Sequence, residues 1–243
     1  MYTRYIMWKT ILNVFFPKYC VECKVVGNYI CDACFARISF ATTPICPVCQ
    51  KSSITGSTHN KCKKTHSIDG LISAVVYGRV IKRLIYRYKY KPYVSDLTSI
   101  IGTLMSESLV QNETFFHLLK NECVMTPVPL YPGKLKKRGY NHASLLCSYV
   151  AQYFSIPFQD SIISRVKNTS PQFKLSRSAR AQNVKNAFVV QNTQRDFIQG
   201  KRILVVDDVA TSCSTLKEIA HVLKRAGAKE VWGITFAREN NRW

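Results

Sequence analysis

The stretch RILVVDDVATSCSTLKE, residues 202–218, decides how the whole chain reads. Residues 203–206 form an unbroken apolar run rich in β-branched side chains. Such a run fits a strand buried on both faces better than one alternating between core and water. Two adjacent carboxylates, Asp207 and Asp208, follow at its carboxyl end. Then come five small residues, Thr211, Ser212, Cys213, Ser214 and Thr215, four of them bearing hydroxyls. A helix-like segment, STLKEIAHVLKRAGA, closes at Gly227. In an open parallel sheet, ligands bind beyond the carboxyl ends of central strands. The free N–H groups and the dipole of the following helix favour an anion there. Carboxylates accept from sugar hydroxyls, and amides and hydroxyls donate to phosphate, so this end of the strand predicts a sugar-phosphate site.

Working outward, strands alternate with helices from about residue 68. LISAVVYG (71–78) reads as a strand, and Ile81, Leu84, Ile85 and Tyr88 recur at helical spacing up to Pro92. A second helix follows on Leu97, Ile100, Ile101, Leu104 and Met105. CVMTPVPL (123–130) reads as a buried strand, YPGKLKKRGYNH (131–142) as a loop, and the next helix turns Leu145, Leu146, Tyr149, Val150 and Tyr153 inward. Residues 165–187 lack strong periodicity and read as a long loop or hood. EVWGITFA is a last strand. The alternation predicts an α/β fold with a parallel sheet covered on both faces.

The charge is lopsided: 35 Lys and Arg stand against 14 Asp and Glu, a formal net charge of +21. It is also clustered, in RVIKRLIYRYKYK (79–91), KLKKR (134–138) and residues 165–187. A built-in basic face points to a polyanionic partner. In the first cluster, tyrosines alternate with Lys82, Arg83, Arg87 and Lys89, a pattern able to stack bases and neutralise phosphates. The opening MYTRYIMWKTILNVFFP is interrupted by Arg4 and Lys9 and is far short of a membrane span. It reads as an amphipathic helix, with no integral membrane segment and a cytoplasmic location expected.

Seven of the ten cysteines fall between residues 20 and 62. Cys20, Cys23, Cys31 and Cys34 are echoed 26 to 28 positions later by Cys46, Cys49, His59 and Cys62, a short internal repeat. A C-x2-C turn aims two donors at one ion, and two such turns close a tetrahedron around zinc. Eight donors make two structural sites. The segment carries little apolar material, so metal has to supply its folding energy. Which pairs share an ion is open at this level. Cys123 and Cys147 read as small core residues.

Read together, residues 202–218 resemble the ribose-phosphate-binding signature of type I phosphoribosyltransferases. The wider chain resembles the ComF family of competence-associated, phosphoribosyltransferase-like proteins, through the cysteine-rich front, YGRVIKRLIYRYKY, PVPLYPGKLKKRGYNHA, NTSPQFKLSRSARAQNVKNAF and ILVVDDVATSCST. The resemblance implies a double zinc-ribbon module with its N-terminal helix over residues 1–67 and a phosphoribosyltransferase-like domain over 68–243. It implies that Asp207 and Asp208 contact the ribose hydroxyls of phosphoribosyl pyrophosphate. Residues Thr211, Ser212, Cys213, Ser214 and Thr215 would surround its 5-phosphate, and Lys137 and Arg138 would hold pyrophosphate with magnesium. Cys213 stands where the family usually has glycine; a side chain fits there if φ is negative.

The function this implies is DNA uptake in natural transformation, with single-stranded DNA and a DNA-uptake helicase or other competence proteins as partners. Two alternatives stay open. One is an active transferase passing phosphoribosyl to a nitrogen acceptor; the other is a nucleotide-state sensor that binds without turnover.

Overall fold

The structure is a computed structural model describing residues 17–90, 94–120, 122–169 and 177–239. The expected N-terminal helix and the stop at Pro92 lie outside the described residues. The centre is a four-stranded sheet made of β1 (Gly70–Val76), β2 (Cys123–Pro127), β5 (Arg202–Ala210) and β6 (Glu230–Arg238), in the order β1-β6-β5-β2. Every neighbouring pair is parallel. The run expected to be central is interior, flanked by β6 and β2. Its alternate residues serve two cores: Leu204 and Val206 pack into one, Ile203 and Val205 into the other. That is why the run shows no polar alternation.

One core lies under α1 (Arg79–Tyr90), α2 (Val94–Val110), α3 (Glu113–Leu119) and α5 (His142–Tyr153). As the spacing predicts, α1 buries Val80, Ile81, Leu84, Ile85 and Tyr88. Helix α3 was not legible in the sequence; Asn112 caps it by accepting from the Phe115 N–H. Helix α5 turns His142, Ala143, Leu146, Cys147, Val150 and Ala151 inward, whereas Tyr153 is exposed, so its inward face is rotated from the one expected. Cys123 and Cys147 are buried in this core. The opposite core lies under α7 (Ser214–Arg225), which ends at Gly227 with φ +104.

Two segments differ from their expected form. The basic stretch after residue 131 is not a loop but α4 (Pro132–Arg138), with proline in its first turn and Gly139 as a left-handed cap. Residues 165–187 are not an unstructured hood where described: they include α6 (Arg177–Val184), flanked by an antiparallel pair, β3 (Ile163–Arg165) with β4 (Phe188–Val190). Ile163 and Phe188, at the two ends of that pairing, are buried in the second core.

The cysteine-rich segment lies along the free edge of β1. Ala41 donates to Ala74, Val76 to Ser39, Leu71 to Gly56 and Thr58 to Asp69, all through backbone amides. An edge that would otherwise template foreign strands is thereby covered. Among the described residues no helix is long and apolar enough to cross a membrane.

Candidate functional site

The carboxyl ends of all four parallel strands open on one cavity of about 460 Å³. Tyr77 follows β1, Val128 follows β2, Asp207 and Asp208 belong to β5, and Glu239 follows β6; all line it. Six cations, Lys82, Lys89, Lys134, Arg138, Arg165 and Arg180, face three carboxylates across this space. The surplus positive charge suits a ligand with several phosphate charges.

Asp208 is buried and already engaged. Lys89 Nζ lies 2.6 Å and His142 Nε2 3.2 Å from its Oδ2. Burial alone would raise its pKa; the Lys89 ammonium, with His142, overrides it and holds Asp208 well below the usual carboxylate range. Burial drives His142 the other way, keeping its imidazole neutral. Arg138 Nη1 lies 2.8 Å from His142 Nδ1, so Nδ1 accepts and the ring hydrogen sits on Nε2, the nitrogen facing Asp208. Among the described residues Asp207 has no such cation in contact. Burial, then the charge on Asp208, pushes it up to about 7.

That asymmetry has a measurable consequence. A carboxyl whose folded pKa exceeds its unfolded value contributes stability that is fully present below the unfolded value and lost as pH rises through the folded one. For Asp207 the window runs from about 3.8 to about 7. Asp207→Asn cannot ionise, so its melting temperature is expected to gain on wild type as pH goes from 5 to 8. A difference that stays flat across that range would show that Asp207 titrates normally. Asp208 contributes the opposite slope, lost only in acid below the ordinary carboxylate range, outside this window.

Thr211 and Thr215 line the cavity, while Ser212, Cys213 and Ser214 are buried behind it. Ser212 Oγ and Ser214 Oγ are 2.8 Å apart, and Lys217 N–H donates to the Cys213 carbonyl to start α7. Cys213 has φ +56, not a negative value. A thiol side chain thus occupies the left-handed conformation that glycine adopts freely, at a cost of about 1–2 kcal/mol. The loop nonetheless keeps its turn.

Of the two residues expected on the pyrophosphate side, Arg138 lines the cavity and Lys137 does not; Lys137 is exposed. The reason is the helix: Lys134 and Arg138 are four apart and share a face, and Lys137 falls off it. Lys134 therefore stands where Lys137 was expected. Lys134 Nζ donates to the Thr169 carbonyl at 2.6 Å, and Arg165 donates to the Thr169 hydroxyl, so the β3 side of the site is tied to α4. Sequence reasoning missed Lys134, His142, Arg165 and Arg180. The four-residue recurrence of Lys134, Arg138 and His142 was the signal available for the first two.

The quartet expected at a nucleic-acid surface divides. Lys89 is inside the site with its charge committed to Asp208. Arg83 pairs with Glu22 at 3.0 Å and donates to its carbonyl, and Arg87 donates to the Tyr19 carbonyl and lies over the Tyr29 ring. Those two clasp the cysteine-rich module to α1. Lys82 and Lys89 both line the strand-end cavity and a groove of about 990 Å³ beside it, and with Lys89 paired to Asp208, Lys82 is the one of the two whose charge is offered to the groove. That groove also carries Tyr86 and Tyr90, 60% and 55% exposed, with rings 5.1 Å apart. Tyr88, between them in sequence, is core.

The eight cysteine and histidine donors form two tetrads, each from sequence-adjacent pairs: Cys20, Cys23, Cys31 and Cys34, then Cys46, Cys49, His59 and Cys62. Donor atoms within each lie within 4.8 Å of one another, which fits the edges of a tetrahedron with Zn–S near roughly 2.3 Å. The repeat is structural as well. Lys24 N–H donates to Cys20 O and Gln50 N–H to Cys46 O, and both Lys24 and Gln50 have positive φ. In the second tetrad His59 Nε2 donates to the Ser52 carbonyl at 2.9 Å, leaving Nδ1 facing Cys49. In the first, Arg37 donates to Cys34 Sγ.

With this geometry in hand, comparison with known proteins is specific. Residues 141–243 match the phosphoribosyl transferase domain family and residues 11–64 the double zinc ribbon domain family. Competence protein F of Haemophilus influenzae is 33% identical over 92% of this chain and 99% of that protein. The DNA utilization protein YhgH of Escherichia coli K12 is 28% identical over 89% of this chain and 96% of that one. Among solved structures, the glutamine phosphoribosylpyrophosphate amidotransferase of B. subtilis aligns with a TM-score of 0.37 and 20% identity, covering 57% of this chain and 26% of that chain.

Proposed function

The chain belongs to the competence protein F family, and from that premise we propose that it acts in the cytoplasm in DNA uptake during natural transformation, binding phosphoribosyl pyrophosphate and single-stranded DNA at adjoining sites. One observation carries this reading. The cavity joins a sugar-accepting carboxylate, Asp207, a hydroxyl-lined turn at the start of α7, and six cations, in the one place where all four strands end. The ribose hydroxyls would donate to Asp207. The 5-phosphate would take the N–H groups of residues 211–215, and pyrophosphate would meet Lys134, Arg138 and Arg165.

Asp207, Asp208 and His142 bring donor atoms within 4.8 Å of one another, but Lys89 already neutralises Asp208. Magnesium would therefore enter with the pyrophosphate rather than be held by this cluster. Its chemistry there would be neutralisation of the leaving charge.

Single-stranded DNA would run along the Tyr86–Tyr90 groove, stacking bases on the exposed rings while Lys82 contacts a phosphate. The two ribbons would anchor a further competence protein such as a helicase. Calorimetry with phosphoribosyl pyrophosphate and magnesium is expected to show saturable binding, with little pyrophosphate released in the absence of an acceptor. Binding of a thymidine oligomer is expected to weaken with salt. Lys82→Ala should reduce the log–log slope by about 0.7 and Lys89→Met should leave it unchanged. No binding of the sugar pyrophosphate sinks the first half of the reading; no salt slope sinks the second.

A further inference from the structure

The second cysteine–histidine tetrad touches the turn assigned to the sugar phosphate. Gln50 follows Cys49 directly, and its Nε2 donates to the Thr211 carbonyl at 2.6 Å. Gln50 is itself fixed: it is 8% exposed, has φ +64, and its N–H donates to Cys46 O at 2.8 Å, closing the Cys46–Cys49 turn. Ile45 and Val48, on either side of Cys46, pack against the core that contains Ala210, Cys213 and Leu216. Behind them Arg238, at the end of β6, donates to the Thr43 carbonyl at 2.9 Å, and Glu239 N–H donates to Ala210 O. The module thus forms the back wall of residues 210–213.

The consequence follows from peptide geometry. In a trans peptide the C=O and the next N–H point in opposite directions. With the Thr211 oxygen drawn back to Gln50, the Ser212 N–H is turned the other way, toward the side where an anion is received. Were that peptide to flip, its oxygen would face the anion and its N–H would be lost as a donor. This turn is prone to rearrange, because Cys213 holds a left-handed conformation that a non-glycine residue adopts reluctantly. The restraint comes from a segment whose own shape depends on the tetrad of Cys46, Cys49, His59 and Cys62.

The geometry points to Gln50 as a positioning residue through which the second ribbon holds the turn at 211–215 in its anion-binding form, so that the state of that ribbon sets affinity for the sugar phosphate. This rests on the assignment of phosphoribosyl pyrophosphate to the cavity. The first tetrad contributes no such contact among the described hydrogen bonds; its Glu22 clasps Arg79 and Arg83 on α1.

The test uses the full chain carrying metal at both tetrads, with Gln50→Ala and with Gln50→Met, which keeps length and bulk but cannot donate. Metal content is checked first, at one zinc per tetrad. Without ligand, amide exchange over residues 211–215 is expected to quicken about fivefold in both variants, with the rest of the sheet unchanged. Affinity for phosphoribosyl pyrophosphate with magnesium should fall by a similar factor. Unchanged exchange in the turn of either fully loaded variant overturns the inference. Wild type that binds, with both variants binding equally well, overturns it alone; wild type that fails to bind overturns the ligand assignment beneath it.

Discussion

Stripping zinc from the chain with a strong chelator is expected to unfold residues 17–67 while leaving the parallel sheet folded. The ribbon segment has few apolar residues in a core of its own; Val21, Tyr29 and Ile38 are buried beside Cys20 and Cys34, all against the main domain. A structural zinc in an isolated finger is worth about 10–16 kcal/mol at neutral pH. Whole domains are stable by only about 5–15 kcal/mol. Metal therefore dominates whatever packing offers this segment. Limited proteolysis should show new cleavage confined to residues 17–67, with release of two zinc ions per chain, one for each tetrad. The main domain should become prone to associate, since the β1 edge loses the partners it has at Ser39, Ala41 and Gly56. A digestion pattern indifferent to the chelator would mean that packing on β1, not metal, shapes the segment.

The features legible in sequence were those with local signals. The 203–206 run announced a doubly buried strand because no polar residue interrupts it, and the 26-to-28-residue echo of cysteines announced a repeated turn because ligand spacing is short-range. What escaped was set by tertiary position. Nothing near Lys89 says that its ammonium meets Asp208, and nothing near Arg83 or Arg87 says that they clasp Glu22 and Tyr19. A basic tyrosine-rich run looks the same whether its cations are committed inward or offered outward. The stretch 132–138 failed for another reason: with one apolar residue, Leu135, it has no hydrophobic period to read. Its helix is marked only by Pro132 at the start and Gly139 at the end. That one misreading moved the cation facing the cavity from Lys134 to Lys137. Cys213 shows the limit of reading a residue by type, since β5 and α7 fix the chain on both sides and impose the left-handed turn on whatever side chain is there.

Asp208→Asn is expected to destabilise the chain by about 3 kcal/mol, near the lower end of the range for breaking a buried ion pair. The cost is that of a stranded charge. The Lys89 side chain is 24% exposed beside a carboxyl side chain 5% exposed, and without Asp208 the other carboxyl acting on it among the described residues is Asp207, whose burial resists ionisation. The Asn side chain retains an acceptor for His142, so the loss isolates charge rather than shape. Lys89→Met should also be costly, for the mirror reason: two adjacent carboxylates then share a buried site with no cation among the described residues in contact with either. The double variant removes both charges and should recover much of the loss, giving a coupling of about 1–3 kcal/mol by urea unfolding. The slope of the unfolding curves should stay constant, as the exposed area is the same. Strict additivity of the two single effects would mean that the 2.6 Å contact carries no energy, and that the division of the acid pair into one fixed charge and one titrating group has another origin. Recovery in the double variant would instead tie that division to α1, and so to the same helix that the first ribbon clasps through Arg83 and Arg87.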